Sequence, residues 1–155
     1  GMNIVVYDPY AKKEVVEKLN AKLVDDLEDF WHEPDFITIH VPKTKETVNL
    51  INKETIAKMK KGVRLVNCAR GGVVNEADLR EALDNDYVAG AALDVFCDEK
   101  DITTSPLYGC EKNLVMTPHL GATTFEAQVR VAEDVATQIK IVLQGGKTPN
   151  AVNKL

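Results

Sequence analysis

Three side chains that can carry charge stand at or just beyond the ends of apolar runs in this chain. Arg70 follows RLVNCA, Glu99 comes shortly after VAGAALDV, and His119 follows LVMTP. In an open parallel sheet the ligand crevice lies outside the carboxyl ends of the strands, so three such strands would bring a guanidinium, a carboxylate and an imidazole to one cleft. That set suits proton and hydride transfer on an anionic substrate.

The elements that would position these side chains alternate between strands and helices. The apolar runs NIVVYD, AKLV, FITIHV, VRLVNCA, VAGAALDV and LVMT have strand length, and most are separated by segments with helical periodicity. Helices are expected at 9–19 and 52–60, and after an Asn75 cap. The last helix should open in a capping box at 123–126 and end at Gly145.

This alternation predicts an α/β fold with a doubly wound parallel sheet. Near-continuous hydrophobic strands with helices between them imply a sheet that is covered on both faces and connected by right-handed crossovers. The last helix carries one apolar stripe, which we expect to pack on the sheet. Its members are Ala127, Val131, Val135, Ile139 and Val142.

Composition narrows the class of protein. The chain has 155 residues, 45% hydrophobic, which is enough for one core, and its net charge of −5 comes without a basic stripe, so no nucleic-acid partner is expected. No apolar stretch has the length of a membrane span and no signal-peptide pattern is present, so we expect a cytoplasmic protein with no membrane partner. Three cysteines without CxxC spacing indicate reduced thiols, and no metal site is expected.

Asp8, at the end of NIVVYD, has two interpretations. An acidic residue at such a strand tip in a dinucleotide fold accepts hydrogen bonds from the adenosine ribose hydroxyls, which favours NAD. A 2′-phosphate would want an arginine, and the following residues offer only Lys12 and Lys13. Equally, Asp8 followed by Pro9 is typical of a helix N-cap, and the residues alone leave both interpretations open.

Four motifs resemble one known family, and they occur in that family's order. HVPKTKETVNLIN, LVNCARGGVVNEADLREAL, GAALDVF and TPHLGATTFEAQ are similar to the NAD-binding domain of the D-2-hydroxyacid dehydrogenases. The resemblance implies a Rossmann-type sheet, NAD as cofactor, a small 2-hydroxy acid as substrate with 3-phosphoglycerate favoured, and a homodimer for the complete protein.

The resemblance also implies a role for each member of the catalytic set. Arg70 would grip the substrate carboxylate through its fork and polarise the carbonyl oxygen that forms. His119 would exchange the hydroxyl proton, and Glu99 would orient the ring and favour the imidazolium. Asp98 is the alternative carboxylate, because CDEKD places acids next to one another. Lys100 stands where the family usually has a proline after the glutamate, which bears on the orientation of Glu99.

The cofactor contacts implied by the resemblance fall into two groups. On the adenine side they comprise Asp8, His40, Val41, Pro42 and Thr47. At the nicotinamide end they comprise Cys68, Ala69, Arg70, Asp94, His119, Gly121 and Ala122.

The family's first strand and its glycine-rich turn have no counterpart in these residues. Gly71 and Gly72 do not replace that turn, because they lack the spacing that aims amides at a pyrophosphate. With the central strand absent, NIVVYD and FITIHV should each expose an unpaired edge, and either the two edges close up or another chain fills the slot. We therefore expect a partial NAD-binding domain at 1–145 and a tail at 146–155. The chain should be a fragment of a longer gene product, and the isolated chain should bind NAD poorly.

Other functions remain open at this point. The chain could be a non-catalytic fragment that acts as a binding or assembly module, or part of a dehydrogenase for another 2-hydroxy acid such as glycerate or lactate. A flavodoxin-like regulatory domain shares the alternating elements but does not explain NCARGG and TPHLGA.

Overall fold

The computed structural model describes residues 1–147 and 150–152 and divides the chain into two compact units. The first unit is Gly1–Pro118, and the second begins at His119. The division into a domain at 1–145 and a tail at 146–155 stays a prediction. Residues 148–149 and 153–155 of that tail lie outside the described residues.

The first unit contains six strands, four short α-helices and one 3₁₀ turn among its residues. In chain order these are β1 (Ile4–Tyr7), α1 (Lys13–Lys18), β2 (Ala21–Val24), α2 (Leu27–Phe30), β3 (Phe36–Ile39), α3 (Lys53–Lys58), β4 (Val63–Asn67), α4 (Glu76–Asp84), β5 (Val88–Leu93), the 3₁₀ turn (Ile102–Thr104) and β6 (Leu114–Met116). The second unit contains the long helix α5 (Phe125–Leu143).

The strands form two parallel sheets, which confirms the predicted α/β class. One sheet has the order β1-β2 and the other has the order β3-β4-β5-β6. Within the described residues β1 and β3 do not pair with each other. The expected interruption of the sheet is therefore confirmed, and β1 and β3 each leave one edge of hydrogen-bonding groups without a partner among the strands that the structure describes.

The core of the first unit is formed by alternate side chains of the strands and by one face of α4. Along β4 the side chains of Val63 and Leu65 are buried while Arg64 between them is exposed, as the two-residue period of a strand requires. On α4, Leu79 and Leu83 are one helical turn apart and are 0% and 1% exposed. This packing fixes α4 beside the sheet.

Two helix starts differ from the sequence prediction. The helix expected at Pro9 begins at Lys13, because the Asp8 carboxylate accepts from Tyr10 N at 2.8 Å and Ala11 N bonds to Asp8 O at 3.2 Å, which closes a turn instead. The last helix is capped by Thr124, whose hydroxyl oxygen accepts from Ala127 N at 3.2 Å, so the cap lies one residue later than the expected box. The Asn75 cap on α4 is confirmed.

The apolar stripe of α5 is not buried, so the prediction of a covered stripe is wrong. No residue of this helix is buried, and Val131, Val135 and Ile139 are each at least half exposed. The physical reason within the second unit is that no other helix or strand among its described residues is present to form a second layer. The helix ends as predicted, with Gly145 N bonded to Val142 O and Gly146 N to Ile141 O in a Schellman motif.

Candidate active site

The carboxyl ends of four strands lie at one rim of the larger sheet. Ile39, Asn67, Leu93 and Met116 are successive register partners across β3, β4, β5 and β6. The residues that follow them therefore emerge side by side at that rim. They are His40, Cys68, Asp94 and Thr117.

A buried asparagine shapes the turn that carries Arg70. Asn67 is 2% exposed, and its side-chain amide donates to Arg70 O at 3.1 Å while its oxygen accepts from Ala69 N at 3.0 Å. The Arg70 guanidinium is exposed and donates to Ala69 O, and none of the ion pairs among the described residues includes it. The guanidinium is thus held at the rim and can receive a carboxylate.

The two glycines after Arg70 are explained by packing. A Cβ on Gly71 would lie 1.7 Å from the carbonyl oxygen of Phe96, a distance that no side chain allows. Gly72 has φ +81°, a conformation that residues with a Cβ rarely adopt. The turn after β4 is therefore pressed against the segment after β5.

Glu99 lies in that segment, and the structure distinguishes it from Asp98. Phe96 N donates to Glu99 Oε1 at 3.4 Å. The Asp98 carboxylate instead accepts from Lys100 N at 2.9 Å and Asp101 N at 3.3 Å, so it closes its own turn. A proline in place of Lys100 could not donate that bond. The Asp98 carboxylate is thus occupied by its own turn, and the choice of Glu99 as the carboxylate for chemistry stays a prediction.

Asp94 is a buried acid at the rim. It is 6% exposed, and its Oδ1 accepts from the Thr117 hydroxyl at 2.6 Å. Its backbone N bonds to Asn67 O at 2.9 Å, which continues the β4–β5 ladder by one residue. The Asp94 side chain is therefore held in one place at this rim.

The residues expected on the adenine side occupy two separate strand ends. His40 Nε2 lies 2.8 Å from Thr38 Oγ1, and Thr47 donates to Pro42 O at 2.6 Å, which holds the loop after β3, including Val41, in a defined turn. Asp8 follows β1 and is exposed, and α1 takes Lys12 as its N-cap residue. The helix-cap interpretation of Asp8 is therefore wrong.

Cys68, the residue after β4, is solvent-accessible. Its side chain is exposed, whereas the neighbouring Ala69 is half-buried. Cys68, Cys97 and Cys110 are all free thiols. Among the described residues no group of three or more His, Cys, Asp or Glu side chains is arranged to hold a metal ion.

His119 opens the second unit in an unusual backbone conformation. Its φ is 55°, and the other residues with a Cβ in this region, among those described, are Asn20, Asn49 and Asp86. Asparagine, aspartate and histidine adopt this conformation more often than other residues with a Cβ, although it still costs free energy relative to glycine. Within the same unit Gln128 Nε2 donates to Ala122 O at 2.8 Å, so the turn that includes Gly121 is held by a side chain of α5.

Two contributors to the site were missed by sequence reasoning. Asn67 is a polar residue at a strand position whose neighbours on the same face are buried, and that was the available signal. Glu76 is 6% exposed although it stands in the first turn of α4, where acidic residues are ordinarily solvated. Nothing in the spacing of the sequence indicates its burial.

Comparisons with known proteins agree with these features. The model of the family described as D-isomer specific 2-hydroxyacid dehydrogenase, NAD binding domain, matches residues 1–121. The chain is 49% identical to a D-3-phosphoglycerate dehydrogenase of Synechocystis sp. and 48% identical to that of Methanocaldococcus jannaschii, over 99% of its own length in both cases. It spans only 27% and 29% of the length of these relatives.

Solved structures give the same result. D-mandelate dehydrogenase of Rhodotorula graminis in its apo form is 32% identical with a TM-score of 0.86, covering 100% of this chain and 45% of that one. D-lactate dehydrogenase of Aquifex aeolicus in complex with NAD and lactic acid is 33% identical with a TM-score of 0.78, covering 94% and 47%. With the rim of strand ends and the matched motifs, these likenesses show that the chain belongs to the D-isomer specific 2-hydroxyacid dehydrogenases and carries their NAD-binding domain.

Proposed function

We propose that this chain supplies the cofactor-binding part of an enzyme that transfers a hydride between NAD and 3-phosphoglycerate, a reaction that would serve serine biosynthesis. The observation that carries the proposal is the contact of Gly71 with Phe96, which joins the turn of Arg70 to the segment of Glu99. Arg70, as the cation for the substrate, and Glu99, as the carboxylate for proton transfer, then lie on two segments that are packed against each other. The substrate is proposed from the relatives named D-3-phosphoglycerate dehydrogenase.

Two carboxylates that can accept hydrogen bonds fit NAD. The exposed Asp8 carboxylate after β1 suits the two hydroxyls of an adenosine ribose, and Lys12 and Lys13 nearby do not offer the fork that a 2′-phosphate favours. The buried Asp94 carboxylate suits the carboxamide of a nicotinamide. The bound cofactor would supply the hydride acceptor and donor.

The remaining steps belong to side chains of this chain. Arg70 would bind the substrate carboxylate with two parallel hydrogen bonds and stabilise negative charge on the oxygen at C2. His119 is proposed to take the hydroxyl proton during oxidation and return it during reduction. The proposed role of Glu99 is to hold that imidazole in one tautomer and favour its protonated form.

Turnover by the full product of the gene tests this proposal. We expect NADH formation from 3-phosphoglycerate, followed by absorbance, and a loss on the order of 10²-fold or more in kcat/KM for Arg70→Ala and for His119→Ala. Arg70→Lys keeps the charge without the planar fork and should remain strongly impaired. Near-normal turnover in any of these variants contradicts the assignment.

Substrate choice is tested in the same assay with glycerate and D-lactate. If either acid is turned over faster than 3-phosphoglycerate, the proposed reaction type stands and that acid becomes the proposed substrate. No NADH with any hydroxy acid would favour a binding or assembly module instead.

We also propose a homodimer, as the resemblance implies, and a cytoplasmic location. The three free thiols suit a reducing compartment. Among the described residues no helix combines the length and apolar character needed to cross a membrane. Analytical ultracentrifugation of the full gene product would measure the dimer, and a monomer at micromolar concentration would contradict it.

A further inference from the structure

We propose that Glu76 is a positioning residue whose buried carboxylate anchors the loop of residues 96–107, and that this anchor holds Glu99 at a fixed place beside the turn of Arg70. The proposal rests on the proposed function for the role of Glu99. The anchor itself rests on contacts within the first unit alone.

Both carboxylate oxygens of Glu76 bind the loop. Oε1 accepts from the backbone N of Cys97 at 2.6 Å, and Oε2 accepts from the hydroxyl of Ser105. Ser105 is itself 9% exposed, and its Oγ accepts from Leu107 N at 3.2 Å. One side chain of α4 therefore ties the beginning of the loop to its end.

Helix capping does not explain this carboxylate. Asn75 already accepts from Ala77 N and Asp78 N, so the first turn of α4 has its cap. None of the ion pairs among the described residues includes Glu76, although burial of a charge without compensation is costly. The compensation comes from the two loop donors, so the burial of Glu76 and the geometry of the loop depend on each other.

The Phe96–Cys97 peptide group is clamped from both sides. Its carbonyl oxygen faces Gly71, where a Cβ would lie 1.7 Å away, and its N–H, which points the opposite way in a trans peptide, donates to Glu76. Phe96 N also donates to Glu99 Oε1. Because Phe96 N belongs to the preceding peptide group, it is residue Phe96, through its two adjacent peptide groups, that links the Glu76 anchor, the turn of Arg70 and the Glu99 carboxylate.

Loss of the anchor should affect catalysis more than cofactor binding. Without the Glu76 carboxylate the peptide is held on one side only, so Glu99 can move relative to Arg70. The strand-end residues proposed to bind NAD, such as Asp94, do not bond to Glu76 in any described contact.

Amide hydrogen exchange tests the anchor without reference to activity. In Glu76→Ala we expect the Cys97 amide to exchange at least about tenfold faster than in the unaltered chain, with α4 still protected. Glu76→Gln keeps an acceptor for Cys97 N and should restore most of the protection. Glu81→Ala is the matched control, because Glu81 lies on the same helix with an exposed pair to Lys53.

A second variant covers the case in which Glu76→Ala fails to fold. Ser105→Ala removes the hydroxyl donor to Glu76 and the acceptor for Leu107 N, and we expect both the Leu107 and Cys97 amides to exchange faster. Unchanged exchange at Cys97 in the folded Glu76 variant, or in Ser105→Ala if that variant alone folds, overturns the proposal.

Kinetics of the full gene product test the link to Glu99. We expect Glu76→Ala to lower kcat about tenfold with little change in the KM for NAD, and to cause no further loss in a Glu99→Ala background. An equal loss in both backgrounds overturns the positioning role. If the unaltered full gene product shows no turnover, the proposed function is contradicted. The amide exchange rates then test only whether Glu76 anchors the loop.

Discussion

Cys97 reports on the Glu76 anchor through its own ionisation. Partial burial, and then the hydrogen bond to Glu76, raise the pKa of the Cys97 thiol. In a Cys68→Ser, Cys110→Ser background we therefore expect alkylation at about pH 8 to be slower than that of a free thiol such as glutathione. Glu76→Gln removes the carboxylate charge and should speed the reaction.

The same shift has a defined sign for stability. The folded chain keeps the thiol proton to higher pH than the unfolded chain, so the contribution is complete below about 8.5 and is lost as pH rises through the folded-state pKa. An alkylation rate equal to that of glutathione would contradict the shift.

Some of these residues were accessible to sequence reasoning and others were not. Arg70, Glu99 and His119 stand beside recognisable strand ends, so their local context could be predicted from short segments. The burial of Glu76 depends on Cys97 and Ser105, which are 21 and 29 residues away, and no local period carries that information. The roles of the proposed catalytic set stay predictions.

Among the elements, the contact between the turn after β4 and the segment after β5 is the most restrictive. Gly71→Ala places a methyl group against the Phe96 carbonyl, so one of the two segments must move, and we expect a loss of about 1–3 kcal/mol in the free energy of unfolding. Urea denaturation measures this loss. The Cys97 amide hydrogen of this variant should also exchange faster than in the unaltered chain.

Gly109→Ala is the control for backbone conformation alone. Gly109 has φ +70° and nothing within 4 Å of the added Cβ, so this variant carries the cost of a left-handed alanine without a clash. Gly71 is not among the positive-φ glycines, so a Gly71→Ala variant as stable as the unaltered chain would contradict the packing argument.

The sequence predicts element boundaries correctly where neighbouring residues determine them. AKLV forms β2 over its whole length, and Asn75 caps α4. The helix at Pro9 was placed too early because the Asp8 side chain closes a turn before it. α2 has four residues and the 3₁₀ turn has three, which is too short for helical periodicity to show.

For the molecule as a whole, the interruption between β1 and β3 bears on cofactor affinity. The glycine-rich turn that would hold a pyrophosphate at a helix N-terminus has no counterpart among the elements described. We therefore expect the 155-residue chain to bind NAD only weakly by calorimetric titration. Micromolar affinity for this chain alone would contradict the expectation, and the full gene product titrated in parallel is the positive control.

His119 carries a further consequence for evolution. A histidine held at φ 55° costs the native state about 1 kcal/mol relative to a glycine there, because the Cβ crowds its own carbonyl. Glycine at this position would remove that backbone cost and the imidazole together. If His119 is the acid/base, selection has retained the less stable residue for its chemistry, and a screen for thermal tolerance alone would favour inactive molecules.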